Sequence, residues 1–485
     1  LTWDEKLRTI KETANKNHIE GATYFAFQAY THNPLPDVLV PGSSFGSDIG
    51  TPFLRSQTWW QHMRASTTYT ARSTYMLERG RPVSDFLWYL GDEIDHKPDQ
   101  LAPFPKGFKY DYCNPDALLT RLYVTENGQL STPEGIRYNA IWLPSTHRML
   151  PQTLEKLVQL VQDGAVIIGK RPTYPATLSQ PEQTQERFNK AVSLLWGDTD
   201  DATIRKVGLG KVLCNMSLEE AIEALGMDAD VKTDGIQWLH RQTENADWYY
   251  VCPPLGKRFE GVVDFAQQGT VELWNPVNGN IENARVEKKG NRSLVHLKLE
   301  QGETRFVVFR KDKKLVTARV ASVIEEIPLE KTEWTLRFPD GWGVIPQTIH
   351  TNELKAWKDL ALSDEGKAFS GTVTYSTSIS ITRKKRGCRY FLDLGRVESI
   401  AKIRLNGKEA GTLWTFPYRT DISKYLKNGK NQLEVEITNT WFNRLVFDAN
   451  QPESLRKTWT INAPHMNSPL RESGLMGPVC IHIVE

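Results

Sequence analysis

From about residue 230 onward helical periodicity vanishes, and this restricts the possible folds more than any other feature of the sequence. Short apolar runs, "DWYYVC", "GTVELWNP", "SLVHLKL" and "TRFVVFR", recur at turn-punctuated intervals. That is the pattern of a β-sandwich, whose strands alternate between core and solvent. A second series begins near 333 with "GTVTYSTSISI", "RYFLDLG", "AKIRLNG" and "NQLEVEITNTW". Within it "LNGKEAG" predicts a hairpin turning at Asn406-Gly407, residues that tolerate positive φ. The charged stretch "RKDKKLVTARVASVIEEIPLEK" between the two series suits a linker or an edge strand. The two series share no clear repeat.

Residues 84–200 have a different character. "SDFLWYLG" and "YNAIWLP" read as buried strands, and "TLEKLVQLVQDGA" carries Leu154, Leu157, Val158 and Val161 on one helical face before the strand "VIIGK". Strand–helix–strand alternation predicts a parallel sheet in a small, flavodoxin-like doubly wound domain. No glycine-rich phosphate cradle accompanies it, so a nucleotide site is not expected.

Before Arg81, Leu7, Ile10 and Ala14 predict a short amphipathic helix over 4–17. "ATYFAFQAY" (22–30) reads as a fully buried strand, followed by a long Gly/Pro/Ser loop containing "PGSSFG". "TWWQHMRASTTYTARSTYMLERG" then predicts one long helix ending at Gly80. Helix, buried strand, long loop and helix form the last unit of a (β/α)8 barrel, a fold that carries its chemistry in the loops after its strands and needs roughly 250 residues. The expected domains are therefore 1–82 (last barrel unit), 83–205 (α/β), 206–331 (β-sandwich) and 332–485 (jelly roll).

Composition narrows the function. A formal net charge of +2 advertises no polyanion partner, so nucleic acid is not expected. No apolar run approaches the roughly 18 residues of a membrane span. The five cysteines, Cys113, Cys214, Cys252, Cys388 and Cys480, form no CxxC pair. No His/Cys/carboxylate set has metal-ligand spacing, so the residues imply no metal and no cofactor. Aromatics reach 10%, with 15 Trp, which suits either sandwich cores or stacking on sugar rings. The chain opens on Leu1 without a basic n-region or apolar signal, which predicts a mature, nicked or truncated form of something longer.

The stretches "AYTHNP", "PGSSFG", "LRSQTWW", "FLWYLGDE", "WLHRQTENADWYYV", "VELWNPVNG" and "FVVFR", followed by "FSGTVTY", "LDLGRV", "LNGKEAGTLWTFPYRTDIS", "ITNTWFNRL" and "SGLMGPV", occur in this order along essentially the whole chain. The sequence resembles the C-terminal half of glycoside hydrolase family 106, the α-L-rhamnosidases of plant-polysaccharide-degrading bacteria. The last stretches also look like the galactose-binding-like jelly roll of the family 2 group. The resemblance implies hydrolysis of terminal α-L-rhamnosyl linkages in plant polysaccharides and a periplasmic or extracellular location. It also implies calcium in the complete active site and catalytic carboxylates upstream of Leu1, so the partners would be a rhamnose-containing glycan and an upstream catalytic half of the same protein. Alternatives are a non-catalytic carbohydrate-binding or scaffold protein, and the accessory half of a family 2-like β-galactosidase.

Glycosidic hydrolysis generally uses two carboxyl groups flanking the anomeric carbon. Asp48, Asp92 and Glu93 are those nearest the barrel unit, and each also suits solvation or helix capping. His32, just after the 22–30 run, would sit at the mouth, where a neutral imidazole both donates to and accepts from sugar hydroxyls; a purely structural hydrogen bond is the plainer role. Tyr30 could share that wall. Arg55 suits a fork onto a carboxylate or vicinal hydroxyls, or a loop-fixing ion pair. Of Trp59 and Trp60, one should face the core and the other the rim, with Trp60 preferred for the ligand. In the jelly roll Trp414, Tyr418, Trp441, Asn443 and Arg444 suit either a sugar platform or a Trp-filled core.

Overall fold

A computed structural model describes residues 3–30, 39–42, 50–92, 104–143, 147–198, 201–312 and 322–485. The parallel sheet follows directly from local signals. Its strands Phe86–Tyr89, Tyr110–Cys113, Ala140–Leu143, Val166–Gly169 and Gly210–Cys214 are apolar and short. The helices Pro115–Arg121, Pro151–Asp163 and Pro181–Trp196 each begin on a proline, whose missing N–H costs nothing at that position. The last two stop at Gly164 and Gly197, both at positive φ. From one edge the parallel strands run 210–214, 166–169, 140–143, 86–89, 110–113, with Thr203–Val207 antiparallel outside the first. The three helices bury Leu118, Leu157 and Leu195 against one face, and Leu218–Leu225 covers part of the other.

The sheet therefore extends past the expected break at 205/206. The hairpin 203–214 completes it because Val212 and Leu213 bury on its two faces. The break expected at 331/332 is displaced for the same kind of reason. Val323–Pro328 already pairs with the chain's last strand, Cys480–Val484, as the edge of a four-stranded sheet with Arg389–Asp393 and Arg419–Asp421.

Between these regions, the strands Gln237–Gln242, Ala246–Cys252, Arg305–Arg310, Thr270–Trp274 and Ile281–Asn283 form one antiparallel sheet. It faces a three-stranded one over Val263, Phe265, Val295, Val307 and Phe309. In the C-terminal region a six-stranded sheet, containing Thr372–Ile381, Gly429–Thr438, Ile400–Leu405 and Lys408–Leu413, packs over Tyr375, Ile403, Val435 and Ile481. Asn406 and Gly407 turn its hairpin with φ of 53° and 78°.

Of the first 80 residues, the two helices and the described loop between them pack against both β regions. The helix Met63–Glu78 buries Ser66, Tyr69, Ser73 and Leu77 along one stripe. Leu77 packs with Trp248, Tyr250, Phe306 and Val308 of the sandwich, and Tyr69 with Ile400 and Trp414 of the jelly roll. Its chain then leaves through Gly80 (φ 65°), where a Cβ would lie 2.2 Å from the Gln242 carbonyl oxygen.

Two expectations for this segment need correction. The helix Leu7–Ile19 forms, but its buried face is Leu7, Arg8, Lys11, Glu12, Asn15 and His18, polar apart from Leu7. Lys11 donates to the Gly302 carbonyl and lies over the Tyr69 ring. Asn15 donates to the same carbonyl at 3.0 Å and accepts from the hydroxyls of Tyr69 and Tyr250 at 2.7 and 2.9 Å. Ionic and hydrogen-bond partners, and not apolar content, select the inward face. The run 22–30 is extended but is no buried strand. No strand pairs with it among the described residues, and Tyr24, Phe27 and Tyr30 are 70%, 48% and 56% exposed. A strand of this kind is buried only between neighbours on both sides.

Candidate functional site

The loop 50–60 is held along its length by short polar side chains and backbone groups. The Phe53 N–H donates to the Ala29 carbonyl at 3.0 Å, which ties the loop to the 22–30 run. The Ser56 hydroxyl donates to the Pro41 carbonyl at 2.6 Å, and Trp441 Nε1 donates to the Ser56 carbonyl at 2.7 Å. Gln57 Nε2 donates to the Pro52 carbonyl at 2.9 Å, and the Thr58 hydroxyl to the Asn439 carbonyl. A backbone without regular structure is satisfied in this way by Ser, Thr and Gln.

The tandem tryptophan divides. Trp59 is 1% exposed, lies 5.9 Å from the Phe53 ring, and belongs to the cluster of Leu7, Tyr69, Ile400 and Trp414. It was a candidate ligand contact, and the structure corrects this: the indole is a core plug holding the loop on the jelly roll. Trp60 is half-buried, with its ring 6.1 Å from that of Tyr30. Arg55, exposed, donates from Nε to the Tyr30 hydroxyl at 2.7 Å. Tyr30, Arg55 and Trp60, up to 30 positions apart in the sequence, thus meet in one exposed patch. Phe27, 4.8 Å from Phe53, continues it. Phe27 was missed because a buried-strand reading assigns it to the core; aromatics at 24, 27 and 30 in a run without paired neighbours were the available signal.

This patch offers aromatic surfaces beside a guanidinium whose two terminal nitrogens are free of the Tyr30 bond. Such a set suits a ring with an apolar face and hydroxyl or carboxylate acceptors at its edge. His32, Asp48 and Glu93 lie outside the described residues. Asp92 is committed to structure. It accepts from the Tyr89 hydroxyl at 2.7 Å, the Leu150 N–H at 2.7 Å and the Thr153 hydroxyl at 2.6 Å, at the N-terminus of the helix Pro151–Asp163. The calcium implied by family resemblance does not fit the described groups of the patch, since a phenol and a cationic guanidinium are poor ligands for a hard cation.

The jelly-roll candidates are all buried, so they form no exposed platform. Trp414 is 1% exposed and packs 5.7 Å from Tyr69. Tyr418 accepts from Arg8 and donates to the Ser399 carbonyl at 2.7 Å. Trp441 holds the Ser56 loop, and Asn443 donates to and accepts from the Arg471 backbone. Arg444, 0% exposed, pairs with Glu365 and Asp448 at 2.9 Å each. Fully buried guanidinium and indole groups of this kind brace a core; they do not meet a ligand.

An open cleft of about 1220 Å³ separates sandwich from jelly roll, with Asn275, Asn278, Arg305, Phe391 and Arg419 on its walls. The Asn275 and Asn278 side chains accept from the Val277 and Asn280 N–H groups at 2.9 Å, so they are engaged in the loop's own turns. In the sandwich, His240 lies between Asp230 (2.7 Å) and Asp247 (3.1 Å) and stacks on Tyr249. Burial alone would lower its pKa, but the two carboxylates outweigh that and push it up to about 9.

Comparison with known proteins gives the family. Residues 1–288 match glycoside hydrolase family 106, described as alpha-L-rhamnosidase, and 344–474 match the glycosyl hydrolase 2 galactose-binding domain-like family. The chain belongs to glycoside hydrolase family 106. The solved rhamnosidase from Novosphingobium sp. PP1Y is 30% identical with a TM-score of 0.88, covering 100% of this chain and 46% of that one. A putative beta-glucuronidase from Formosa agariphila is 23% identical, covering 99% of this chain and 62% of the relative. The chain therefore spans less than two-thirds of the length of either relative. No helix among the described residues is long and apolar enough to cross a membrane.

Proposed function

We propose that this chain forms the C-terminal portion of an α-L-rhamnosidase that removes terminal α-L-rhamnosyl residues from plant polysaccharides. Residues 22–30 would complete a β/α barrel as its last strand, with Tyr30, His32, Arg55 and Trp60 lining the sugar's far side and Trp59 anchoring their loop. The acid and base would come from the rest of the barrel, outside these residues. The observation that carries this is the convergence of Tyr30, Arg55 and Trp60 beside an extended aromatic run that pairs with no strand among the described residues, in a chain covering 46% of a solved rhamnosidase. Polymeric substrates do not enter cells intact, which favours a periplasmic or extracellular location.

A second reading is a glucuronide substrate, favoured by the name of the Formosa relative and by the Arg55 guanidinium, whose terminal nitrogens match a uronate carboxylate. The test is to assay this polypeptide, alone and within its full-length protein, on aryl α-L-rhamnoside and aryl β-D-glucuronide. Turnover of the rhamnoside by the full-length protein alone is the expected result. Turnover by the isolated chain would place the carboxylates within it. Exclusive glucuronide turnover would support the second reading, and inactivity on both would leave a binding or scaffold role.

A further inference from the structure

The sequence spacing implied no metal site, but strand pairing builds a set of ligands that spacing could not reveal. Glu326 on the edge strand lies directly opposite His482 on the last strand. Cys480 is two residues from His482 and so on the same side of the sheet. Asp393, on the next strand, lies opposite Cys480. The alternate residues Ile481 and Leu392 are fully buried, which fixes this quartet on the outer face. One oxygen of Glu326, one ring nitrogen of His482 and the Cys480 sulfur all lie within 4.8 Å of one another. His482 Nδ1 is 3.2 Å from Glu326 Oε1, yet that nitrogen is shielded from solvent and makes no hydrogen bond. On the other side of the ring, Nε2 faces Asp393 Oδ2 at 3.8 Å, and Asp393 is itself held by the Gly395 N–H at 2.9 Å.

We propose that Glu326, Cys480 and His482 bind a divalent zinc ion that clamps the edge strand Val323–Pro328 to the jelly-roll sheet, with Asp393 as a positioning residue. Thiolate, imidazole and carboxylate together suit zinc, whereas calcium and magnesium favour oxygen donors alone. Three protein ligands leave the fourth tetrahedral position to water. On binding, the Cys480 thiol releases its proton to solvent and sulfur donates its electron pair to the metal, with no change of oxidation state. At 3.8 Å Asp393 lies beyond hydrogen-bond reach of Nε2 and acts on the ring by its charge, which favours a proton on Nε2 and leaves the Nδ1 lone pair for the metal. Closing that gap would give the carboxylate–histidine arrangement common around zinc.

The test uses the intact chain, stripped with a chelator and titrated with zinc chloride against a chromophoric competitor, then with cobalt(II) for its spectrum. One equivalent of zinc should bind, and cobalt should give a near-ultraviolet thiolate charge-transfer band that C480S abolishes. H482A should weaken zinc binding at least tenfold, and D393N about tenfold, since loss of an orienting partner typically costs 10–100-fold. Zinc should also protect Cys480 from alkylation, with the partly exposed Cys388 as an internal control. Melting of each stripped variant verifies that it is folded. Absence of stoichiometric binding, a charge-transfer band that survives C480S, or equal protection of both cysteines would overturn the proposal and leave a surface Glu–His pair beside a bystander thiol.

Discussion

Arg55 donates from Nε to the Tyr30 hydroxyl at 2.7 Å, joining the loop before the second helix to the end of an extended run 25 positions earlier. Because Tyr30 is 56% exposed and Trp60 half-buried beside it, the pair stands at a surface and contributes little to folding. In the full-length enzyme, R55A and W60A should each reduce kcat/KM roughly ten- to a hundredfold, the loss of about 1–3 kcal/mol of ligand interaction. Y30F should cost less, since it keeps the ring. Kinetics alongside thermal melting check this; unchanged kinetics in all three would reduce the patch to scaffold.

Trp59 should behave in the opposite way. Its indole plugs a contact between the first segment and the jelly roll, so W59A should lose about 3–5 kcal/mol of stability, against less than half that for W60A. Denaturant unfolding of the two variants gives the comparison directly, and equal losses would mean that both indoles are core.

Arg444 is enclosed by Glu365, Asp448, and the rings of Trp342 and Phe447. R444A removes the cation of buried Asp448 and leaves Glu365 only Lys457, 3.2 Å away. It should cost about 3–5 kcal/mol, read as a lowered melting temperature. A loss below about 1 kcal/mol would show that water replaces the guanidinium.

His240 gives the sandwich a pH dependence whose sign is fixed. Its folded pKa, about 9, lies above the unfolded value of about 6.5. The stabilisation is therefore complete below pH 6.5 and is lost as pH rises through 9. It is worth on the order of 3 kcal/mol. Lys11 acts in the reverse sense, since burial lowers it to about 8 and the folded state gains as pH rises past that value. Comparing wild type with H240Q at pH 6 and pH 9.5 isolates the histidine, and the variant should lose less stability between the two.

Asp92 tests a carboxylate that the sequence alone offered as a catalytic candidate. D92A should destabilise the helix Pro151–Asp163 by about 1.5–3 kcal/mol through loss of charged hydrogen bonds, with turnover by the full-length enzyme retained below its melting temperature. Loss of turnover in a protein that is still folded would return Asp92 to the catalytic set.

The local signals were legible because they need no distant partner. Pro151 and Gly164 bracket a helix by their own dihedral preferences, Asn406-Gly407 turns a hairpin, and alternating residues mark the jelly-roll strands. The division of Trp59 from Trp60 was legible too, since two adjacent side chains at the start of a helical segment point in different directions. What the sequence could not show was which groups the distant parts of the chain would supply. Lys11 and Asn15 face inward only because the Gly302 carbonyl and two tyrosine hydroxyls wait there. The 22–30 run, apolar enough for a core, is exposed because burial of a strand depends on neighbours and not on its own composition. Glu326, Asp393, Cys480 and His482 became neighbours through strand pairing across more than 150 residues of sequence. Dihedral preference and side-chain period act over a few residues and are written into them; partner choice between strands is a property of the whole packed chain.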